Sequence, residues 1–263
     1  MTLHWEQDDT VAVATIDRPE ARNALNAALC DDLRTRIEGA PGAGARAIVL
    51  TGVGSAFCAG ADLARRRNDT GGDGGGIEHG GGDTFRPAFE LLGDAIEACP
   101  APVIAAMNGH ALGAGLQLAV HCDLRILGPD ARVGIPAVKL GVLVSASNTT
   151  RLVRLVGPGA ANEILLTGRP FSASEALALG LVHRIDDDPL GAARDTALLI
   201  AALAPLSVAA HKRSVQLVNA SITLGPDART EVQALEDRCF ASDDLQEGLA
   251  AFAEKRTPVF RGR

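Results

Sequence analysis

The 263-residue chain has no tyrosine, a single tryptophan and only 3% aromatic residues, so no mechanism it uses can rest on a tyrosine acid. It also lacks a basic run. Its 25 Lys and Arg stand against 32 Asp and Glu, for a formal net charge of −7, and without a basic face it does not read as a nucleic-acid binder. Cys30, Cys58, Cys99, Cys122 and Cys239 are odd in number and contain no C-x-x-C pair. They read as reduced, mostly buried small hydrophobes, and no metal site is expected. Met1-Thr2-Leu3-His4-Trp5-Glu6 has neither the basic region nor the apolar stretch of a secretory leader, so a cytoplasmic location is expected. The most apolar window, Ala101 to Val120, is broken by Asn108-Gly109-His110 and carries Gln117, so no membrane span is expected either. What remains is a chain with 47% apolar residues, long enough for one large domain or a domain with a small appendage.

Val11 to Ile16 is β-branched-rich and predicts a strand, and Asn26 is placed to cap a helix through Leu29, Leu33 and Ile37. Arg46–Thr51, Pro102–Met107 and Cys122–Leu127 are short apolar runs of the kind that form strands buried on both faces. Phe89 to Ile96 predicts a helix ending before Pro100. Between Thr70 and Asp83 lie eight glycines, read as a loop that cannot pack by itself. Past Thr149 the pattern turns helical: Arg151–Val156, Gly159–Leu166 and Ser172–Leu179, then a strand at Leu181–Ile185 and helices to Phe252. An α/β core with a helical C-terminal appendage follows.

Two glycine-rich segments after strands can carry chemistry. One is Ala56-Phe57-Cys58-Ala59-Gly60-Ala61-Asp62-Leu63; the other runs from Asn108 through Gly113-Ala114-Gly115-Leu116-Gln117 to Leu118. Small residues let a ligand approach the backbone, and the first N–H groups of a helix point outward with positive partial charge. Two such segments facing one pocket would supply two donors to an oxygen that becomes negative, an oxyanion hole. Neither spells G-x-G-x-x-G, and the G-x-x-x-x-G-K phosphate loop is absent. On spacing alone, two ordinary turns remain the simpler account.

The letters themselves carry more. Arg18-Pro19-Glu20-Ala21-Arg22-Asn23-Ala24-Leu25-Asn26, Phe57-Cys58-Ala59-Gly60-Ala61-Asp62-Leu63 and Asn108-Gly109-His110-Ala111-Leu112-Gly113-Ala114-Gly115 resemble three motifs of the enoyl-CoA hydratase/isomerase (crotonase) superfamily, in order and at its separations. Cys122-Asp123-Leu124-Arg125, Leu165-Leu166-Thr167-Gly168, Ala178-Leu179-Gly180-Leu181-Val182 and Glu254-Lys255-Arg256 extend the resemblance over nearly the whole chain. It implies a ββα spiral core over 1–200, a helical trimerisation region over 201–263, assembly as a homotrimer or dimer of trimers, and fatty acyl-CoA or enoyl-CoA thioesters as ligands. No separate cofactor is implied, because coenzyme A is part of the ligand. By the same resemblance the backbone N–H groups of Ala61 and Ala114 would form the oxyanion hole. Arg22, Ala24, Ala59, Asp62 and Leu63 would line the CoA, and Phe252 and Lys255 would close over it. Arg22 read without the resemblance is an ordinary solvated arginine.

At the chemical positions the chain departs from that pattern. The family's hydratases activate water with two glutamates; here the first position holds Gln117 and the second, after Pro136, holds Ala137. Neither an amide nor a methyl group can accept a proton. An aspartate that other members use is replaced by Ser145. Substitutes are poor: His110, His121, His79, Ser145, Asn148 and Cys58 each read more simply as packing, capping or loop residues. With Gly-Ala-Gly-Leu-Gln-Leu intact, the chain looks like a mycobacterial hydratase-like subgroup without the glutamate pair. The expectation is an acyl-CoA-binding protein with little or no hydratase activity. The alternative is an enoyl-CoA hydratase or isomerase of fatty-acid metabolism that uses non-standard residues.

Overall fold

Polar and apolar residues alternate along Leu3–Asp8, which forms β1 with inward Leu3 and outward His4, Glu6 and Asp8 flanking half-buried Trp5. It pairs antiparallel with β2 (Val11–Ile16), Leu3 opposite Ile16 and Asp8 opposite Val11. Asp9 takes the left-handed conformation (φ 50°) that the two-residue turn needs. These strands belong to a computed structural model that describes residues 2–62, 84–140 and 144–220. Beyond 220 it describes positions 227, 230, 234, 242–244, 247, 251, 254, 256, 259 and 261–263. Leu63, His79, Cys239, Phe252, Lys255 and the Thr70–Asp83 glycine tract lie outside the described residues.

From β2 the chain climbs as a spiral. β3 (Ala47–Gly52), β5 (Val103–Met107) and β7 (Leu124–Leu127) join the first sheet in parallel, giving the order β1-β2-β3-β5-β7-β10, with β10 at Arg184–Ile185. Each is followed by a strand of a second sheet: β4 (Ala56–Cys58), β6 (His110–Leu112) and β8 (Arg132–Gly134), with β9 (Phe171–Ser172) antiparallel at its edge. This is the ββα architecture that the resemblance implied, with one strand added to each sheet per turn.

Up to Ala220 the helices with described bounds are α1 (Ala27–Gly39), α2 (Phe85–Ala98), α3 (Ala114–His121), α4 (Ala146–Thr167), α5 (Ala173–Ala178), α6 (Pro189–Ala201) and α7 (Pro205–Ala220). Every residue of β3 is buried. Ile48 and Leu50 face the cluster that includes Leu33, Ile37 and Leu92, while Ala47 and Val49 face Ala193 and Ala197 of α6. That two-sided cover explains the unbroken apolar runs, and each buried Leu or Ile contributes roughly 1.5–3 kcal/mol. Helix α7 is fastened by Lys212, whose ammonium donates to Ile96 O (3.0 Å) and Asp123 Oδ2 (2.7 Å).

Local signals fare well where caps or breakers act. Asn26 caps α1, its Oδ1 accepting Leu29 N–H at 2.9 Å. The two helices expected at Arg151–Val156 and Gly159–Leu166 form as the two halves of α4, separated by a kink where Gly157 turns to φ 75° ahead of Pro158. The strand expected from Cys122 starts later, at Leu124, because the Cys122 N–H still closes α3 on Ala119 O (3.1 Å). The one expected at Leu181–Ile185 shrinks to Arg184–Ile185, since Leu181 N–H is held by Ala176 O (2.9 Å).

Candidate active site

Between β2 and α1 the chain turns through Pro19–Ala21, and Arg22 (φ 50°) and Asn23 (φ 59°) are both left-handed. Asn23 is fully buried. Its Oδ1 accepts the Arg18 N–H at 2.9 Å, and its Nδ2 donates to Val53 O (2.9 Å) and Ala56 O (2.7 Å). The turn is thereby nailed to the loop around β4. Ala59 N–H donates to Arg22 O (3.0 Å), Leu25 N–H to Gly60 O (2.8 Å) and Asp62 N–H to Leu25 O (2.8 Å). These last two bonds make the parallel bridge between Leu25 and Ala61. In such a bridge the flanking residues use their groups on Leu25, so the amide of Ala61 itself faces away from it.

The second segment comes from β6. Gly113 (φ 55°, ψ −120°) caps α3, a backbone conformation for which glycine is suited, and its N–H donates to Gly134 O at 2.8 Å. Ala114 is the first residue of α3, where N–H groups have no acceptor within the helix and carry positive partial charge. The two segments touch. A Cβ on Gly60 would lie 2.9 Å from Leu112 O and 3.5 Å from Ala114 N, and one on Gly115 only 2.1 Å from Cys58 O. Glycine at 60 and 115 is what lets the helix start reach the loop, whereas the methyl group of Ala114 is accommodated at 8% exposure.

Around this junction the sequence-derived residues fall into groups. Ala24 is buried, Ala59 and Ala61 are half-buried, and Arg22 is exposed. The Asp62 carboxylate is engaged by Arg18 at 2.7 Å, with both side chains 12% exposed. Gln117 lies one turn after Ala114 on α3, half-buried, its N–H on Gly113 O (3.1 Å). Ala137 sits in the 3-10 turn Pro136–Leu140 that follows β8 and packs against the main core. Because β8 pairs with β6, Leu112 opposite Gly134, that turn leaves the sheet beside the start of α3.

The substitutes mostly have structural work. Ser145 caps α4, its Oγ accepting from Asn148 Nδ2 (3.0 Å), and Asn148 Oδ1 faces His121 Nε2 at 2.9 Å. His121 Nδ1 lies 3.3 Å from Glu97 Oε1, and its ring fills a slot that Gly93 leaves, since a Cβ there would be 2.2 Å from Cε1. It is a satisfied core histidine. Burial would push Glu97 up, but the hydrogen bonds from His121 and Arg151 prevail and hold its carboxyl below the usual range. His110 is exposed, with Nδ1 accepting Arg132 N–H at 3.0 Å. Burial pushes the Cys58 thiol up to about 12, so it is inert packing. Arg18 and Asn23 were not singled out by sequence reasoning, although an Asn after a proline turn signals a left-handed position.

Comparison with known proteins identifies the family. Residues 6–263 match the family model described as enoyl-CoA hydratase/isomerase. The chain belongs to that family. It is 39% identical over 260 residues to the Mycobacterium tuberculosis protein named "Probable enoyl-CoA hydratase echA6", covering 97% of this chain and 98% of the relative. It is 36% identical over 256 residues to the 2,3-dehydroadipyl-CoA hydratase of Escherichia coli, covering 96% of each. Among solved structures, an enoyl-CoA hydratase/carnithine racemase from Magnetospirillum magneticum superposes with a TM-score of 0.88 at 31% identity, over 100% of this chain and 96% of that one.

Proposed function

We propose that this enoyl-CoA hydratase/isomerase-family chain binds fatty acyl-CoA, holding the thioester oxygen between the backbone N–H groups of Ala61 and Ala114, and hydrates enoyl-CoA little or not at all. The observation that carries this reading is the abutment of Gly60–Asp62 on the start of α3, with Ala61's amide turned away from Leu25. Two preorganised donors on one oxygen supply binding and charge stabilisation. Proton transfer needs a group that can take and return a proton, and Gln117 and Ala137 cannot. Arg22, Ala24, Ala59, Asp62, Leu63, Phe252 and Lys255 are assigned to the CoA side of the same site.

A second reading, an active hydratase or isomerase with other residues, is favoured by the hydratase names of the relatives. Calorimetry with a long-chain acyl-CoA and a hydration assay on crotonyl-CoA separate the two. Binding without turnover is the expected outcome. Ordinary enzymatic rates on crotonyl-CoA would overturn the binding-protein reading, and no binding at high micromolar ligand would overturn both. We further assign a cytoplasmic trimer or hexamer. Leu198 and Leu199 of α6, Leu203 after it, and Val215 and Val218 of α7 are 47–66% exposed in the single chain, apolar surface that subunit contacts would cover. Sedimentation tests this, and a stable monomer at micromolar concentration would contradict it.

A further inference from the structure

The Arg18–Asn23 turn is held in an unfavourable shape. Two successive non-glycine residues in the left-handed region persist only where the surroundings over-determine them, and such places favour function over ease of folding. The side chain at the start of this turn reaches across the site. Arg18 donates from Nη1 to Ala24 O at 2.5 Å and from Nη2 to Asp62 Oδ2 at 2.7 Å. One planar guanidinium therefore grips the loop that carries Ala24 and the loop that carries Ala61, from a setting where both charged side chains are only 12% exposed. Around it, backbone bonds fix Gly60 and Asp62 to Leu25. Ala61, between them, has its amide direction set by its neighbours.

We infer that Arg18 and Asp62 are positioning residues, a shielded ion pair that aims the Ala61 N–H at the ligand's carbonyl oxygen. The inference rests on the oxyanion reading above and adds to it. A hydrogen bond weakens steeply as its angle closes, so a small rotation of the 60–62 segment would remove the contact while leaving the fold in place. The planar fork matters as much as the charge: a lysine ammonium is a point charge on a flexible stem and lacks the rigid planar geometry that fixes the two acceptors relative to one another. The same bridge gives the Asp62 carboxylate a partner within the protein, beside its place on the CoA side of the site.

The test compares two ligands that differ at one group, octanoyl-CoA and S-octyl-CoA, the latter with a methylene in place of the carbonyl. Full-length protein is titrated with each by calorimetry. Wild type is expected to favour octanoyl-CoA by about tenfold, the effect of one well-made hydrogen bond. In Asp62→Ala that preference falls to about twofold or less, octanoyl-CoA losing more affinity than S-octyl-CoA, and Asp62→Asn, which keeps an oxygen for Arg18, restores most of the preference. Arg18→Lys, the milder change should Asp62→Ala not fold, leaves an intermediate preference. A preference that survives in Arg18→Lys and Asp62→Ala overturns the inference, as does equal weakening of both ligands, the mark of a merely structural pair. A wild type that does not distinguish the two ligands overturns the oxyanion reading itself, and the inference with it.

Discussion

The candidate site has two halves built from different materials. Around Ala61 and Ala114 the groups that would meet a ligand are main-chain amides, held by Gly60, Gly113, Gly115 and the Leu25 bridge. At 117, 137 and 145 they are side chains: an amide, a methyl group and a hydroxyl that caps α4. A backbone amide survives substitution, so Ala at 114 changes the side chain and leaves the N–H. A side-chain carboxylate can be lost in one replacement without disturbing the fold. The contrast teaches that the two kinds of group can be lost independently within one architecture, because main-chain donors persist through a substitution that removes a side-chain carboxylate.

The largest expected effect restores the second half. Gln117→Glu with Ala137→Glu should raise crotonyl-CoA hydration by about 10²–10⁴-fold, the usual contribution of acid–base groups, with neither single variant recovering much because both act on one water. Ala137 packs against the core, so the double variant must first be confirmed folded by melting and by acyl-CoA binding. A folded, binding double variant that still does not hydrate would mean the two halves differ by more than these residues. Breaking the backbone half comes next. Gly115→Ala drives a methyl group to 2.1 Å from Cys58 O, which should cost about 1–3 kcal/mol in urea unfolding and weaken acyl-CoA binding as α3 retreats. Unchanged stability would show that the helix start has room to move.

The smallest effect concerns the far end of α3. Glu97 is held below the ordinary glutamate value of 4.5, so its stabilising contribution is complete above that value and is lost as pH falls through the lower folded one. Melting temperatures of wild type and Glu97→Gln should therefore differ at neutral pH and converge in acid. A gap that widened in acid would contradict the assigned hydrogen bonds.

How much of this was legible in the sequence followed from length and locality. Val11–Ile16, the Asn26 cap and the break at Gly157-Pro158 depend on near neighbours and were read directly. β4, β6 and β8 have three residues each and no periodicity to detect, so the second sheet stayed hidden inside what looked like loops. The positions of Ala61 and Ala114 came from motif letters. That the two segments touch depends on Gly60 and Gly115 meeting distant carbonyls, a tertiary fact with no local signature. Arg18 escaped notice for the same reason, because its partner Asp62 is 44 residues away.

That separation also governs when the site can exist. The β1–β2 hairpin closes across two residues, whereas Asn23 must find Ala56 across 33 and Arg18 must find Asp62 across 44 before the 60–62 segment is set. Long closures are entropically dear and slow, and contacts that need them form late. Gly113 must then reach Gly134 on a strand made later still during synthesis. A fragment ending before Gly134 lacks the carbonyl that seats Gly113, and any ligand that binds only the finished arrangement favours the completed chain over partly folded forms by mass action.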